Sequence, residues 1–560
     1  MFKNIIQSFL SLLLILSLIS GWSLSSPNIF AVSPFFTNHP SSQNINRNTV
    51  DSTTTITTTT STTTPIKHLV VIVQEDISFD HYFGTYPNAQ NPSGEPHFSA
   101  SSNTPSINGL NSSLLHQNPN SANPLRLDRN SLYTCSMNHN YTSEQLAYHG
   151  GADKFVEYGG PISPLLCTTP QNKQLVMGYY DGNTVTALWN YAQHFSMSDN
   201  YFGTTYGPSV LGHINIISGN THGAVIVNPI HPNETSTNDG HRIVNGTLIA
   251  NRDPAYDDCS NHNFSVMAME GKNIGDVLNS KNISWGWFSS GFTPSIKTTD
   301  GQWHCVYNGI QSFNIFKGNN APIDNYYADV EPFQFYKNTS NPHHLLPTST
   351  SMIGFTDQAN PQYALNHFWN AAESGNLPAV SFIKGPTFAQ AHAGYSNPLD
   401  EQDFLVKTIN RIQTIPQWND TAVIITYDDS GGWYDHVMPP IVGVSKDLKY
   451  DRLSEIGQCG NAFTSKGPFQ DRCGYGPRLP FLVISPWSKV NFVDHTLIDQ
   501  SSIIRFIEDN WKLNRIGNNS YDEKAGSLLN LFNFTKGHHA QSLLLYPSNG
   551  TTVKNISFLR

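Results

Sequence analysis

Residues 68–73, His68-Leu-Val-Val-Ile-Val73, decide the fold, because after the histidine the run is apolar and mostly β-branched, with no polar residue in alternation. A strand with one solvated face alternates apolar and polar side chains, whereas an unbroken apolar strand is buried on both faces. Strands of this kind belong to parallel sheets covered by helices. Similar runs recur at 421–426 and 479–485, with a weaker one at 379–383.

Helix-like stretches lie between these strands, at 361–372, 403–415 and 500–511. Alternation of strands and helices over this length predicts an α/β fold with a mostly parallel central sheet and helices on both faces. The loop-rich, aromatic region from about 225 to 350 is interpreted as a cap or insertion rather than as an independent domain.

The composition limits which classes of function are plausible for this chain. The 560 residues are 38% hydrophobic, which is ample for a large core. Charged residues make up 13% and the net charge is -10. Nucleic-acid binding needs a basic surface, so the charge argues against a nucleic-acid partner.

The N-terminus predicts export. An apolar run at 5–19 follows one lysine, so residues 1–31 are expected to be a signal peptide or an uncleaved N-terminal anchor. Residues 32–65 are predicted to be a disordered linker rich in Thr and Ser. A catalytic domain is expected at 66–540 and a C-terminal tail at 541–560, with no later membrane span, so the protein is expected to be secreted or at the cell surface.

The cysteines agree with an extracellular location. None of the six has C-x-x-C spacing, which favours disulfides over zinc or redox use. They are Cys135, Cys167, Cys259, Cys305, Cys459 and Cys473. The preferred pattern pairs sequence neighbours, above all Cys459 with Cys473. Sequons such as those at Asn140 and Asn233 would carry glycans in a host that glycosylates.

Acidic pairs follow two of the predicted strands. Glu75 and Asp76 come after the first run, and Asp428 and Asp429 come after the run that begins at residue 421. Ligands bind at the carboxyl ends of parallel strands, and four converging carboxylates could not all stay ionised without a cation. The sequence therefore predicts one divalent metal ion, and oxygen ligation suits Mg, Ca, Mn or Fe alike. Alternatively, Asp428 and Asp429 only cap the Gly-Gly turn that follows them.

A candidate nucleophile is Ser209, in the stretch Tyr206-Gly-Pro-Ser209, where Gly-Pro forces a bend. A serine held near a metal can lose its proton and attack phosphorus. The alternative is an ordinary turn residue. Among the 22 histidines, no pattern by itself distinguishes His139 or His392, although a histidine near a leaving group could donate a proton.

Several ordered segments together resemble a known family, the bacterial and archaeal phosphoesterases that include secreted phospholipases C and an acid phosphatase. The segments are 66–84 with Gln-Glu75-Asp76, the turn Tyr206-Gly-Pro-Ser209, the histidine block 392–402, the block 427–436 with Tyr427-Asp428-Asp429, and 472–510. The resemblance runs from about 66 to about 535. It implies a fold similar to that of alkaline phosphatase and the sulfatases.

The resemblance also implies roles for individual residues. Metal binding falls to Glu75, Asp428 and Asp429, with Ser209 facing the ion. His139 and His392 would contact the phosphoryl group or the leaving oxygen. Asp435 and His436 would support the site from behind or be structural.

The chain departs from the family pattern at four places. Asp76 stands where the family usually has Asn, and it is expected to be protonated, turned onto the metal, or a sign of altered function. Asp329-Val330 replaces a common His-His pair. Ala391 replaces a common Asp, and Val210-Leu211 replaces the usual Thr-Pro.

These observations predict a secreted, metal-dependent phosphoric ester hydrolase with a serine nucleophile. An acid-phosphatase-like phosphomonoesterase is favoured by the Gly-Pro-Ser turn and by a chain that ends soon after the core. The alternative substrate is a phospholipid headgroup, hydrolysed by a phosphodiesterase of phospholipase C type. A catalytically weakened cell-surface protein that binds a ligand is the alternative from another class, which the Thr-rich linker and the altered pocket residues favour.

Overall fold

The computed structural model of the chain describes residues 61–163, 172–306, 309–314, 319–460 and 472–554. The predicted leader, most of the predicted linker and Cys167 lie outside the described residues. Among the helices of the described ranges, none is long and apolar enough to cross a membrane.

Within the described residues, the central sheet has eight strands. In chain order they are β1 (His68–Gln74), β2 (Ser196–Ser198), β3 (Trp285–Ser289), β4 (Gln362–Ala364), β5 (Val380–Lys384), β6 (Thr421–Tyr427), β7 (Phe481–Ile484) and β8 (Phe492–Asp494). Their order across the sheet is β4-β3-β5-β1-β6-β7-β2-β8. The α/β class is confirmed.

The strand directions differ from expectation at β7. Strand β1 pairs in parallel with β5 and β6, and β3 pairs in parallel with β4 and β5. Strand β7 is antiparallel to both of its neighbours, β6 and β2, whereas β8 is parallel to β2. The run at 479–485 was expected to belong to a parallel sheet because it is apolar throughout. Burial on both faces produces that pattern whatever the direction of the strand.

Helices cover both faces of the sheet. Their bounds are α1 (Phe79–Phe83), α2 (Ser112–His116), α3 (Tyr141–Tyr148), α4 (Phe155–Tyr158), α5 (Thr186–His194), α6 (Ser209–Ser218), α7 (Ile274–Ser280), α8 (Leu365–Glu373), α9 (Pro398–Ile412) and α10 (Ser501–Trp511). In β1, Val70 and Ile72 pack with α5, α8 and α9, while Val71 and Val73 pack with α6, α7 and α10. Each of these strand side chains is fully buried and contributes about 1.5–3 kcal/mol to folding.

Shorter elements surround these layers. Two-stranded pairs are Leu125–Arg126 with Gly178–Tyr179, Ser136–Met137 with Pro161–Ser163, Tyr201–Phe202 with Ile498–Asp499, Ala224–Ile226 with Met267–Met269, Ile243–Val244 with Thr247–Leu248, Ile296–Lys297 with Trp303–His304, and Gly309–Asn314 with Asn319–Asp324. Short 3-10 helices are Asn172–Met177, Ala328–Val330, Pro332–Phe335, Thr350–Met352, Thr387–Ala389, Pro416–Asp420, Tyr521–Glu523 and Leu528–Leu531.

The predicted cap at 225–350 is too wide. Strand β3 lies inside the central sheet, and α7 packs on one face of that sheet. The aromatic residues that suggested a cap are partly core residues, because Trp285 and Trp287 are at most 1% exposed. Aromatic content therefore cannot separate a cap from a buried strand.

Both ends of the described chain are attached to this domain. The backbone N–H of Thr63, in the predicted linker, donates to the carbonyl of Asn510 at the end of α10. In the predicted tail, Leu543 and Leu545 are buried in the cluster that contains α9. The folded unit thus begins before residue 66 and continues past residue 540.

The disulfides agree with the predicted pairing of sequence neighbours. Cys259 is bonded to Cys305, and Cys459 to Cys473. Cys135 also takes part in a disulfide, and its predicted partner Cys167 lies outside the described residues.

Candidate active site

Two acidic pairs meet at the carboxyl ends of β1 and β6. The two strands are in register up to Gln74 and Tyr427, so the residues that follow them begin at the same level. The backbone N–H of Asp76 donates to Oδ1 of Asp428 at 3.0 Å, and the N–H of Asp429 donates to the same oxygen at 2.7 Å. All four carboxylates, of Glu75, Asp76, Asp428 and Asp429, are at most 5% exposed.

Several oxygens of this cluster have no hydrogen-bond partner within the described residues. They are both carboxylate oxygens of Asp76, Oδ2 of Asp428 and Oδ2 of Asp429. Burial, and then neighbouring carboxylates, raise the pKa values of Asp428 and Asp429 well above their usual range. Unpaired buried carboxylate oxygens are costly unless a proton or a cation satisfies them. The donor set therefore fits a divalent metal ion.

His139 and His392 lie on either side of Asp76. Nε2 of His392 is 3.2 Å from one Asp76 oxygen, and Nε2 of His139 is 4.0 Å from the other. Each ring donates from Nδ1 to a backbone carbonyl, of Ala393 and Met137 respectively, which directs Nε2 toward the carboxylate. Burial alone would lower the pKa of His139, but Asp76 and other carboxylates nearby raise it to about 9.

Ser209 is the first residue of α6 and is 4% exposed. Its carbonyl accepts from Nδ1 of His213 at 2.8 Å, and that ring is 3.4 Å from Asp428. The close approach of α6 to β6 requires glycine at 212, since a Cβ there would lie 1.9 Å from the Asp428 carbonyl oxygen. Ser209 thus lies one helical turn from His213, and His213 contacts the carboxylate cluster.

Glu144 on α3 joins the serine turn to the loop after β6. Its Oε2 accepts from the N–H of Gly207 at 2.9 Å, and its Oε1 accepts from the Ser430 hydroxyl. Burial raises the pKa of Glu144 to about 7. No local pattern in the sequence marks this residue, because α3 is distant from both loops along the chain.

Lys384 and His213 also contact the cluster, and the sequence analysis missed both. Lys384 ends β5 and forms an ion pair with Glu75. Burial would raise the pKa of Glu75, but Lys384 and nearby histidines lower it to about 2. A signal for Lys384 was present, because it is a charged residue directly after a buried strand, the same position that singled out the acidic pairs.

Asp435 and His436 contact a separate ionic network. Asp435 accepts from Arg478 at 3.1 Å and 3.2 Å, and His436 Nδ1 is 2.6 Å from Asp80. Arg478 also donates to Asp80 at 3.1 Å, so one buried guanidinium ties the loop after β6 to helix α1. This network holds the loop that carries Asp428 and Asp429.

The departures from the family pattern lie beside the cluster. Asp329 and Val330 form part of a 3-10 turn, and Val330 is 6% exposed. Burial, then Asp253 and Glu75, raise the pKa of Asp329 to about 7. Ala391 is buried, adopts a positive φ of 76°, and precedes His392.

The fold and the site define an α/β protein with a buried, metal-compatible carboxylate cluster at the carboxyl ends of its strands. A model of the phosphoesterase family matches residues 66–514, and the chain belongs to this family. The family that the sequence resembled is thereby confirmed.

Three curated relatives show the range of similarity. The chain is 32% identical over 178 residues to a non-hemolytic phospholipase C of Burkholderia pseudomallei. The aligned segment covers 29% of this chain and 24% of the relative. It is 23% identical over 481 residues to phospholipase C B of Mycobacterium tuberculosis, covering 84% and 78% of the two chains. With non-specific phospholipase C6 of Arabidopsis thaliana it shares 22% identity over 435 residues, which cover 76% of this chain and 62% of the relative.

Proposed function

We propose that this chain hydrolyses phosphoric esters with Ser209 as nucleophile and a divalent ion held by the four-carboxylate cluster. The observation that carries the proposal is the group of buried carboxylate oxygens of Asp76, Asp428 and Asp429 that accept no hydrogen bond in the described part of the chain and lie beside α6. When bound, a divalent ion there would lower the pKa of a serine hydroxyl and polarise a phosphoryl oxygen. Oxygen ligands of this kind suit Mg, Ca, Mn or Fe.

The chain's own residues supply the remaining steps. Ser209 lies at the N-terminus of α6, where the helix dipole favours negative charge. Its hydroxyl releases a proton to solvent, Oγ attacks phosphorus to form the phosphoserine, and the bond to the leaving alcohol breaks. His139 or His392, both with Nε2 turned toward the cluster, gives the alcohol its proton and takes one from the water that hydrolyses the phosphoserine.

Two ester classes compete as substrate. The relatives named phospholipase C favour a phosphodiester such as a phospholipid headgroup, which was the alternative in the sequence analysis. The phosphomonoester preference predicted from the Gly-Pro-Ser turn finds no support among those names. We therefore place the diester first and retain the monoester as the second candidate.

The fold is proposed to be of the alkaline-phosphatase type.

We also propose that the protein acts outside the cytosol. Disulfides such as Cys259–Cys305 and Cys459–Cys473 persist in oxidising compartments. An N-terminal leader at 1–31 would direct the export. Secretion is checked by fractionating cells and comparing the mass of the external protein with that of the full chain.

The test is hydrolysis of p-nitrophenyl phosphorylcholine and p-nitrophenyl phosphate by the purified chain, with EDTA and a panel of divalent ions. Ser209→Ala should lower kcat on the order of 10³-fold or more, whereas Ser218→Ala, at the other end of α6, should not. The preferred ester decides between diesterase and monoesterase. Turnover that survives in Ser209→Ala contradicts the nucleophile, and no turnover of either ester favours the ligand-binding alternative.

A further inference from the structure

The first turn of α6, which carries Ser209, is capped by a side chain from a distant loop. Pro208, the residue before the helix, makes no side-chain cap, and the backbone N–H of Val210 donates to Oδ1 of Asn251 at 3.0 Å. Only the oxygen of a side-chain amide accepts a hydrogen bond, so this contact fixes which way round the Asn251 amide lies. Its NH2 group, attached to the same carbon as that oxygen, is therefore held beside the start of the helix.

The NH2 group of Asn251 is available to a ligand. It makes no hydrogen bond within the described residues, and the side chain is partly exposed. A helix cap requires only the oxygen of an asparagine side chain. The amide thus offers two N–H donors beyond those that capping uses.

The segment 249–253 extends from the serine turn to the carboxylate cluster. The carbonyl oxygen of its first residue would lie 3.6 Å from a Cβ at Gly207. At its other end, Asp253 lies near Asp329: burial, then Asp253 and Glu75, raise the pKa of that carboxyl. The middle of this segment, where the amide is held, is therefore placed between the serine turn and the rim of the cluster.

The cluster itself is rich in acceptors and poor in donors. Its carboxylates only accept hydrogen bonds when they are ionised. Asp76 has a carboxyl group where the family usually has the amide of an Asn, so this chain lacks an amide donor there. During phosphoryl transfer, negative charge is spread over the outer oxygens of the transferred group. Donors that are already oriented toward those oxygens stabilise the transition state.

We propose that the NH2 group of Asn251 donates a hydrogen bond to an outer phosphoryl oxygen while Ser209 attacks phosphorus, and so supplies an amide donor that position 76 lacks. The inference rests on the proposed function, because it takes Ser209 as the nucleophile. The cap orients the amide before the substrate binds, so the hydrogen bond strengthens as charge develops on the oxygen. Its loss should therefore lower kcat more than it raises KM.

Two substitutions separate the donor from the cap. Asn251→Asp keeps an oxygen for the N–H of Val210 and removes the NH2 group, whereas Asn251→Ala removes both. With p-nitrophenyl phosphorylcholine and p-nitrophenyl phosphate, we expect both variants to lower kcat on the order of 10²-fold, with little change in KM. Urea denaturation should show native stability for Asn251→Asp and lower stability for Asn251→Ala.

The matched control is Asn111→Asp. Asn111 is exposed and caps α2 by accepting from the N–H of Leu114 at 3.0 Å, so the same exchange is made at a cap outside the site. It should leave kcat and KM unchanged. Should Asn251→Ala fail to fold, Asn251→Asp alone decides, because it retains the cap.

The outcomes distinguish this inference from the proposed function. Native kcat in Asn251→Asp overturns the inference alone, because capping would then be the whole role of the side chain. A new negative charge can also repel the substrate, so kcat is measured at about 0.1 M and about 1 M salt, where screening lengths are about 10 Å and about 3 Å. A loss that disappears at high salt is repulsion and overturns the inference, whereas a loss that persists supports it. Turnover that survives Ser209→Ala, or no turnover in the native protein, overturns both proposals.

Discussion

At the scale of single residues, Asp76 combines three unusual properties. It adopts a positive φ of 60°, is fully buried, and lies between the Nε2 atoms of two histidines. A left-handed backbone is well tolerated by Asn and Asp. The backbone at this position therefore accepts either the family's usual Asn or the Asp found here, and the two differ by a carboxyl group in place of an amide.

Replacing Asp76 with Asn should lower the pKa of His139. The Asp76 carboxylate is the strongest of the charges that raise this pKa to about 9, and an opposite charge at 4.0 Å shifts a pKa by about 1–3 pH units. NMR titration of metal-free, histidine-labelled protein measures the change. Asp403→Asn, at an exposed carboxylate, serves as control and should leave His139 unaffected. An unchanged His139 pKa in Asp76→Asn would contradict the assigned contact.

Glu508 should make stability depend on pH. Burial, then neighbouring Asp522, raise its pKa from 4.5 to about 9 in the folded protein, against the lowering effect of Arg515, whose guanidinium donates to Oε2 of Glu508 at 2.7 Å. The folded state therefore keeps a proton that the unfolded chain releases above about pH 4.5. This contribution is complete below that pH and is lost as pH rises through about 9, with a slope of up to about 1.4 kcal/mol per pH unit.

Urea denaturation from pH 5 to 9 checks the effect. In Glu508→Gln, which cannot ionise, the free energy of unfolding should fall less steeply with pH than in the native protein. Glu523→Gln, at an exposed neighbouring position, should retain the native slope. Equal slopes in all three proteins would show that Glu508 does not hold the proton.

At the scale of elements, the position of α6 determines how the serine meets the cluster. The helix packs on the end of β6 through Gly212, and the turn that precedes it is tied to α3 through the hydrogen bond from Gly207 to Glu144. Because Ser209 and His213 are one turn apart on this helix, a displacement of α6 moves both relative to Asp428. The site therefore depends on the packing of the helix against the strand as well as on its residues.

Gly212→Ala should displace α6. The added Cβ would lie 1.9 Å from the Asp428 carbonyl oxygen, and backbone atoms can relieve such a contact only by moving. We expect a loss of about 1–3 kcal/mol in the free energy of unfolding and a lower kcat. Gly151→Ala is the control, since its nearest contact would be 3.9 Å away. Equal stability and turnover of the two variants would rule out the close approach.

At the scale of the whole molecule, the disulfides add stability to a domain that already has an extensive hydrophobic core. Hydrophobic clusters lie on both faces of the sheet, and both described ends of the chain pack against the domain. The cysteines that are paired lie in the loops around these layers. The disulfides therefore act mainly on the loops and on the unfolded chain.

The two described disulfides should differ in their effect on stability. Cys459 and Cys473 are 14 residues apart, and Cys259 and Cys305 are 46 apart. If the constraint on the unfolded chain dominates, replacing both cysteines by serine costs about 3 kcal/mol for the short loop and about 4 kcal/mol for the long one. Urea denaturation of the two double variants measures both values. The opposite order would mean that native contacts, rather than loop entropy, set the contribution.

The sequence by itself determined the α/β class, the positions of several strands and helices, and the family. These follow from local properties: unbroken apolar runs, helical stretches between them, and motifs in a fixed order. It also pointed to the acidic pairs after β1 and β6, because residues that follow parallel strands share one edge of a sheet.

Only the tertiary structure decided which other side chains reach that edge. Strand order places Lys384 beside Glu75, and helix packing places His213 beside Asp428 and Glu144 beside the serine turn. The antiparallel direction of β7 and the inclusion of β3 in the sheet were decided in the same way. Contacts of this kind join residues far apart in the chain, so their physical cause is the packing of whole elements, and no local pattern of amino acids encodes them.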